Sequence, residues 1–162
     1  MKKNKFILAG LIFAATYGYS LDVYSQVSGQ IVSIVKVGES IKKDDILVKL
    51  DDRQIQAKIN ELQAIANLKK VILDDKNKIL KEDKELFAST VASQRDIDLA
   101  TLEASKALYE YESKKSELDF YKLEKEKYTI KAPFNCIVKD IPNRLNAVNI
   151  YQPKVILQIS EK

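Results

Sequence analysis

The chain alternates like strand at both ends and like helix in between. Residues 23–27, 30–36 and 46–50 are short runs rich in β-branched side chains, parted by Ser28-Gly29, Gly38-Glu39 and Asp44-Asp45. Such punctuation marks strands joined by turns. Residues 52–127 then contain no glycine and no proline and are dominated by Lys, Glu, Asp, Ala and Leu, the composition of a long helical stretch. Strand character returns at 128–131, 136–140 and 155–160, where Pro133, Pro142 and Pro153 keep helix out.

Within the helical stretch, Asp51-Asp52-Arg53-Gln54 offers a capping carboxylate with Gln54 three places on, the signature of a helix start. The pairs Ile65-Ala66, Ile72-Leu73, Ile79-Leu80 and Leu86-Phe87 recur every seven residues and define one apolar stripe. Residues 88–92 interrupt it, and Ser93-Gln94-Arg95-Asp96 is a second capping box. Beyond it, positions 97, 100, 104, 107, 111, 114, 118, 121, 125 and 128 follow three-and-four spacing, apolar or tyrosine except at Lys114 and Lys125. Two arms of roughly equal length with a turn near 88–93 predict an antiparallel hairpin. At about 1.5 Å per residue it would be a rod of around 50 Å. Pivoting at that turn, it sets Phe87 by Ile97, Leu80 by Ala104, Leu73 by Tyr111 and Ala66 by Leu118.

Neither strand block alone is large enough to bury a core, and the two repeat one pattern. Gly29, Ile31 and Ile34 are echoed by Cys136, Val138 and Ile141, and residues 46–50 by 155–159. The reading is an α+β protein in which the two blocks share one sandwich, with Ile31 and Val138 both pointing into its core. The hairpin replaces its central turn.

Charge and composition narrow the chemistry. A basic start at Lys2, Lys3 and Lys5, an apolar run over 6–15 and small residues at Gly18 and Ser20 read as a secretory signal over residues 1–20, with an uncleaved inner-membrane anchor as the alternative. Those three lysines account for most of the net charge of +4: without them 24 basic residues face 23 acidic ones. The basicity is therefore no sign of nucleic-acid binding. Histidine is absent and Cys136 is the single cysteine, so imidazole chemistry and an internal disulfide are both excluded. Beside Ile137 and Val138, Cys136 reads as a thiol buried in a strand. No grouping of residues points to catalysis, a cofactor or a metal.

Residues 26–32 (QVSGQIV) and 37–51 (VGESIKKDDILVKLD) resemble the first lipoyl half-motif of periplasmic adaptors, the membrane fusion proteins of the hemolysin D type. Residues 128–138 (YTIKAPFNCIV) are similar to the start of their second half-motif. The resemblance implies a barrel-sandwich hybrid, a split lipoyl-like β-domain interrupted by a long coiled-coil hairpin. Residues 21–51 and 128–162 would be its halves and 52–127 the hairpin. It further implies a non-enzymatic, periplasmic, homo-oligomeric link between an inner-membrane transporter, of ABC or RND type, and a TolC-type outer-membrane channel. The channel contact at the hairpin tip would fall on Leu86, Ser93, Ile97 and Asp98.

The chain departs from the pattern in places. Glu82 stands where the family has a basic residue, and Asp44 and Cys136 where it has glycine. The β-barrel domain that usually follows has no counterpart after Ile159, which reads as a minimal form, a split one or a truncated gene product. Two alternatives remain open: a structural or chaperone-like periplasmic coiled coil, and a lipoyl or biotinyl carrier. The carrier needs an exposed lysine in a tight turn, and Asp51-Asp52-Arg53 occupies that place. The tip residues also have a plainer reading, in which they only close the hairpin.

Overall fold

The computed structural model describes residues 20–89, 91–142, 149–150 and 155–162, the pair 149–150 by backbone alone. Except for Ser20, the basic and apolar start falls outside these residues. Among the described residues, no helix is long and apolar enough to cross a membrane.

Four strands precede the hairpin: β1 (Ser20–Tyr24), β2 (Gly29–Ile34), β3 (Ser40–Ile41) and β4 (Ile46–Leu50). The hairpin is α1 (Arg53–Ala88) and α2 (Gln94–Glu126), and β5 (Thr129–Lys131), β6 (Cys136–Asp140), β7 (Asn149–Ile150) and β8 (Val155–Glu161) follow. They form two four-stranded sheets, ordered β1-β8-β6-β3 and β5-β4-β2-β7. The repeat seen in the sequence becomes a repeat in space, because β2 pairs antiparallel with β4 as β6 does with β8. Each half also lends two strands to the other's sheet: β1 pairs with β8 and β5 with β4 at one edge of each sheet, and a shorter pair closes the other edge. β3 of the first half pairs with β6, and β7 of the second pairs with β2. The crossing is tightened where Gly38 donates to the Val138 carbonyl at 2.8 Å and Val138 donates to that of Glu39 at 3.1 Å.

One core lies between the sheets. Leu47, Val48 and Leu50 from the first half and Val138, Ile156, Leu157 and Ile159 from the second are each at most 1% exposed within it. Ile31 packs against it, half-buried. Cys136 is fully buried here, and that burial raises its thiol pKa.

Three local expectations change. The strand expected at 23–27 lies earlier, at Ser20–Tyr24, since β8 offers partners from Ser160 back to Val155. Beyond Tyr24 the Ser25 hydroxyl donates to the Val27 carbonyl and accepts from the Val27 N–H, bending the chain out of the sheet. The two-residue strands β3 and β7 had no signal in the pattern. At the start of α1, Asp52 is the N-cap and makes no side-chain cap bond, so the expected capping box is absent. The Asp51 carboxylate instead accepts from the Arg53 backbone N–H at 3.1 Å and from its guanidinium at 2.9 and 3.0 Å. A charged fork two residues away is a stronger claim on that carboxylate than a backbone amide alone.

The second box forms as read. Ser93 caps α2, its hydroxyl accepting from the Asp96 N–H at 3.4 Å while the Asp96 carboxylate accepts from the Ser93 N–H at 2.8 Å.

Candidate functional site at the hairpin tip

The 36 residues of α1 and 33 of α2 make a rod of about 50 Å on the α-helical rise. All ten positions of the stripe, nine in α2 and Tyr128 just beyond it, are buried or half-buried. Lys125, one of its two polar exceptions, lies 3.4 Å from Asp52 across the seam, while Lys114 pairs with Glu117 at 2.8 Å. On α1 the second member of the first three apolar pairs faces α2, with Ala66 and Leu73 buried and Leu80 half-buried, whereas Phe87 is 42% exposed.

The seam is richest near the sandwich. Ile55, Ile59, Leu62, Ala66 and Leu118 form a buried cluster there, joined by Tyr121 and Tyr128. Tyr128 also packs against the sandwich core, so it joins the two bodies. Farther out, α1 presents Lys69 and Lys76 between its apolar residues, and these pair across the seam with Glu110 (2.6 Å) and Glu103 (4.0 Å). The partners correct the expected register. Tyr111, expected beside Leu73, instead has the Lys70 ammonium over its ring at 5.9 Å. Cross-helix partners are thus displaced by close to one turn. The loop explains the shift, because Val91 and Ala92 both donate to the Leu86 carbonyl and fold back along α1.

At the tip, the four residues implied by the resemblance do not share one face. Leu86 is 44% exposed in the last turn of α1, whereas Ile97 is half-buried against the seam. Ser93 is occupied as the helix cap, and exposed Asp98 accepts from the Gln94 amide at 2.9 Å. The Ser93 hydroxyl and N–H hold the Asp96 carboxyl below the usual carboxylate range. Two further apolar side chains are offered here, Phe87 at 42% and Val91 at 74% exposure. Neither stands out in the sequence, since the seven-residue repeat assigns Phe87 to the seam and Val91 lies in the segment that breaks the helix. With Leu86 they make an apolar crown ringed by charge.

Elsewhere among the described residues nothing gathers reactive groups. No cluster of metal-ligating side chains is present among the described residues. A cavity of about 630 Å³ at the hairpin foot is lined by Gln30, Asp51, Arg53 and Tyr128 among others, and its charged pair is closed on itself.

The sandwich, its inserted hairpin and the paired half-motifs define a class. Residues 20–141 match the family model for the barrel-sandwich hybrid domain of RND-type membrane fusion proteins, RND MFP. The chain belongs to this family. No curated protein matches it in sequence.

Solved structures show the same fold. The membrane fusion protein Spr0693 of Streptococcus pneumoniae R6 superposes with a TM-score of 0.67 at 16% identity, over 88% of this chain and 59% of that one. ZneB of Cupriavidus metallidurans gives 0.60 at 18%, over 88% and 60%. A MacA–MexA chimera carrying the Pseudomonas aeruginosa MexA α-hairpin domain gives 0.58 at 23%, over 88% and 48%. The chain therefore spans about half to three-fifths of the length of these structures.

Proposed function

We propose that this chain is a periplasmic adaptor subunit, a homo-oligomer that links an inner-membrane transporter to a TolC-type outer-membrane channel in efflux or secretion. The observation that supports this most is the apolar crown of Leu86, Phe87 and Val91, held far from the sandwich on a rigid two-helix rod. Exposed apolar side chains at the end of a rod serve no core and suit an end-to-end contact with other helices. The role needs shape and surface rather than catalysis, in keeping with a chain that lacks histidine. The four tip residues divide under this reading. Leu86 supplies contact, Asp98 borders it, and Ser93 and Ile97 hold the turn in shape.

Leu86→Glu tests the reading. Its side chain is half out of the seam already, so the melting temperature should stay within a few degrees of the parent. Export and cross-linking to the channel should both fail in the same cells. Normal export by this variant would exclude the tip contact. A large fall in helix content would show that Leu86 only closes the hairpin.

A further inference from the structure

The strand β5 is an edge of its sheet, and its pairing decides which of its backbone groups stay open. Among the described strands it pairs with β4 alone. Toward β4, the Tyr128 carbonyl accepts from the Leu50 N–H at 2.8 Å, and Ala132 donates to the Asp45 carbonyl and accepts from the Asp44 N–H, each at 2.9 Å. An antiparallel ladder turns successive residues to alternate sides, so Thr129 and Lys131 direct their N–H and C=O groups to the open edge. Side chains alternate likewise. Tyr128 and Ile130 pack on the sandwich core, and those of Thr129 and Lys131 point away from it.

The space beside this edge is unfilled. Two adjoining cavities of about 430 and 560 Å³ open there, and Glu126, Thr129 and Lys131 line both. Tyr24 and Leu123 also line the smaller one, and they are 52% and 62% exposed. A further strand would lie about 4.8 Å from β5, with its side chains in reach of this apolar pair.

Charge selects the occupant. Lys131 is exposed at the edge itself, and Lys49, opposite Thr129 in the ladder, shares its outward face. Among the described residues neither belongs to an ion pair. Lys122 lines the larger cavity and is held only loosely, 3.8 Å from Asp119. Glu126 is the one carboxylate lining either cavity. Two copies joined through this edge would bring lysine against lysine, the usual protection of a strand edge against its own kind. An acidic strand meets no such barrier.

We propose that the open edge of β5 docks an extended, acidic segment of another protein, which joins the sheet as a further strand. Main-chain hydrogen bonds to Thr129 and Lys131 supply affinity, and the lysines with Tyr24 and Leu123 supply selectivity. The contact lies at the foot of the hairpin and is independent of the crown at its tip.

The test uses the purified chain and a fluorescent peptide of about six residues, the ordinary length of a strand, alternating valine and glutamate with blocked ends. The parent should bind it in fluorescence anisotropy, and hydrogen exchange should slow at the Thr129 and Lys131 amides. Methylating one alternate set of peptide nitrogens should abolish binding, while methylating the other should leave it, with charge and side chains unchanged in both. Lys131→Glu should weaken binding by on the order of tenfold and gain it for the same peptide with lysine in place of glutamate. Lys131→Pro removes an N–H that the ladder to β4 does not use and should abolish binding, circular dichroism confirming the fold of each variant. Absence of binding, equal binding by both methylated peptides, or protection confined to other amides would overturn the proposal. So would protection of Thr129 and Lys131 that grows with protein concentration in the absence of peptide, by showing a second copy on this edge.

Discussion

Asp44 has a φ of +68°, in the left-handed region that side chains with a Cβ enter at a cost. A short polar side chain tolerates that region better than a branched one. The geometry accounts for glycine as the usual residue here and for aspartate as an acceptable one. Asp44→Gly should fold with little change, while Asp44→Val should lower stability by about 1–2 kcal/mol, read from urea midpoints. At Asp51 the Arg53 side chain and backbone hydrogen bonds hold the carboxyl at about 2. With its folded value depressed, its contribution to stability is complete above the ordinary carboxylate range. That contribution is lost as pH falls through about 2. A carboxyl NMR titration should place its midpoint there, and Arg53→Ala should move it back up. The Ser93 cap and the buried Cys136 were legible in the sequence because each depends on near neighbours. The role of Asp51 was not, because two adjacent aspartates compete for one cap and only the Arg53 rotamer decides between them.

At the scale of elements, the seam joins a greasy foot to a polar upper half. Leu62 is 1% exposed in the basal cluster, and Leu62→Ala should cost about 2–5 kcal/mol in thermal or denaturant unfolding. The far half has alanines on α2 facing alternating lysine and leucine on α1. Its amides should exchange faster than those around Leu62 and Leu118, in the order that local packing dictates. The stripes were legible because helical periodicity records which side chains must face a partner. The register was not, because it is set by two loop amides, those of Val91 and Ala92, returning to the Leu86 carbonyl.

At the scale of the whole molecule, the matched halves revealed a shared sandwich, but the exchange of β3 and β7 was invisible in the pattern. Two-residue strands carry no periodicity, and their partners lie about a hundred residues away in sequence. The exchange makes folding of the two halves interdependent. Ile31→Asp would press an unpaired carboxylate against a core built from both halves and should cost several kcal/mol, a large share of a small domain's stability. Loss of the cooperative melt is the expected outcome. A variant melting like the parent would break the link between Ile31 and that core.

The two helices leave and re-enter the sandwich through β4 and β5, which are neighbours in a single sheet. Mechanically the hairpin is a lever whose fulcrum is one strand pair. With an arm of about 50 Å, a tilt of about ten degrees at that pair carries the tip through about 9 Å. Small changes in twist at the β4–β5 ladder are thereby magnified into the reach of the crown.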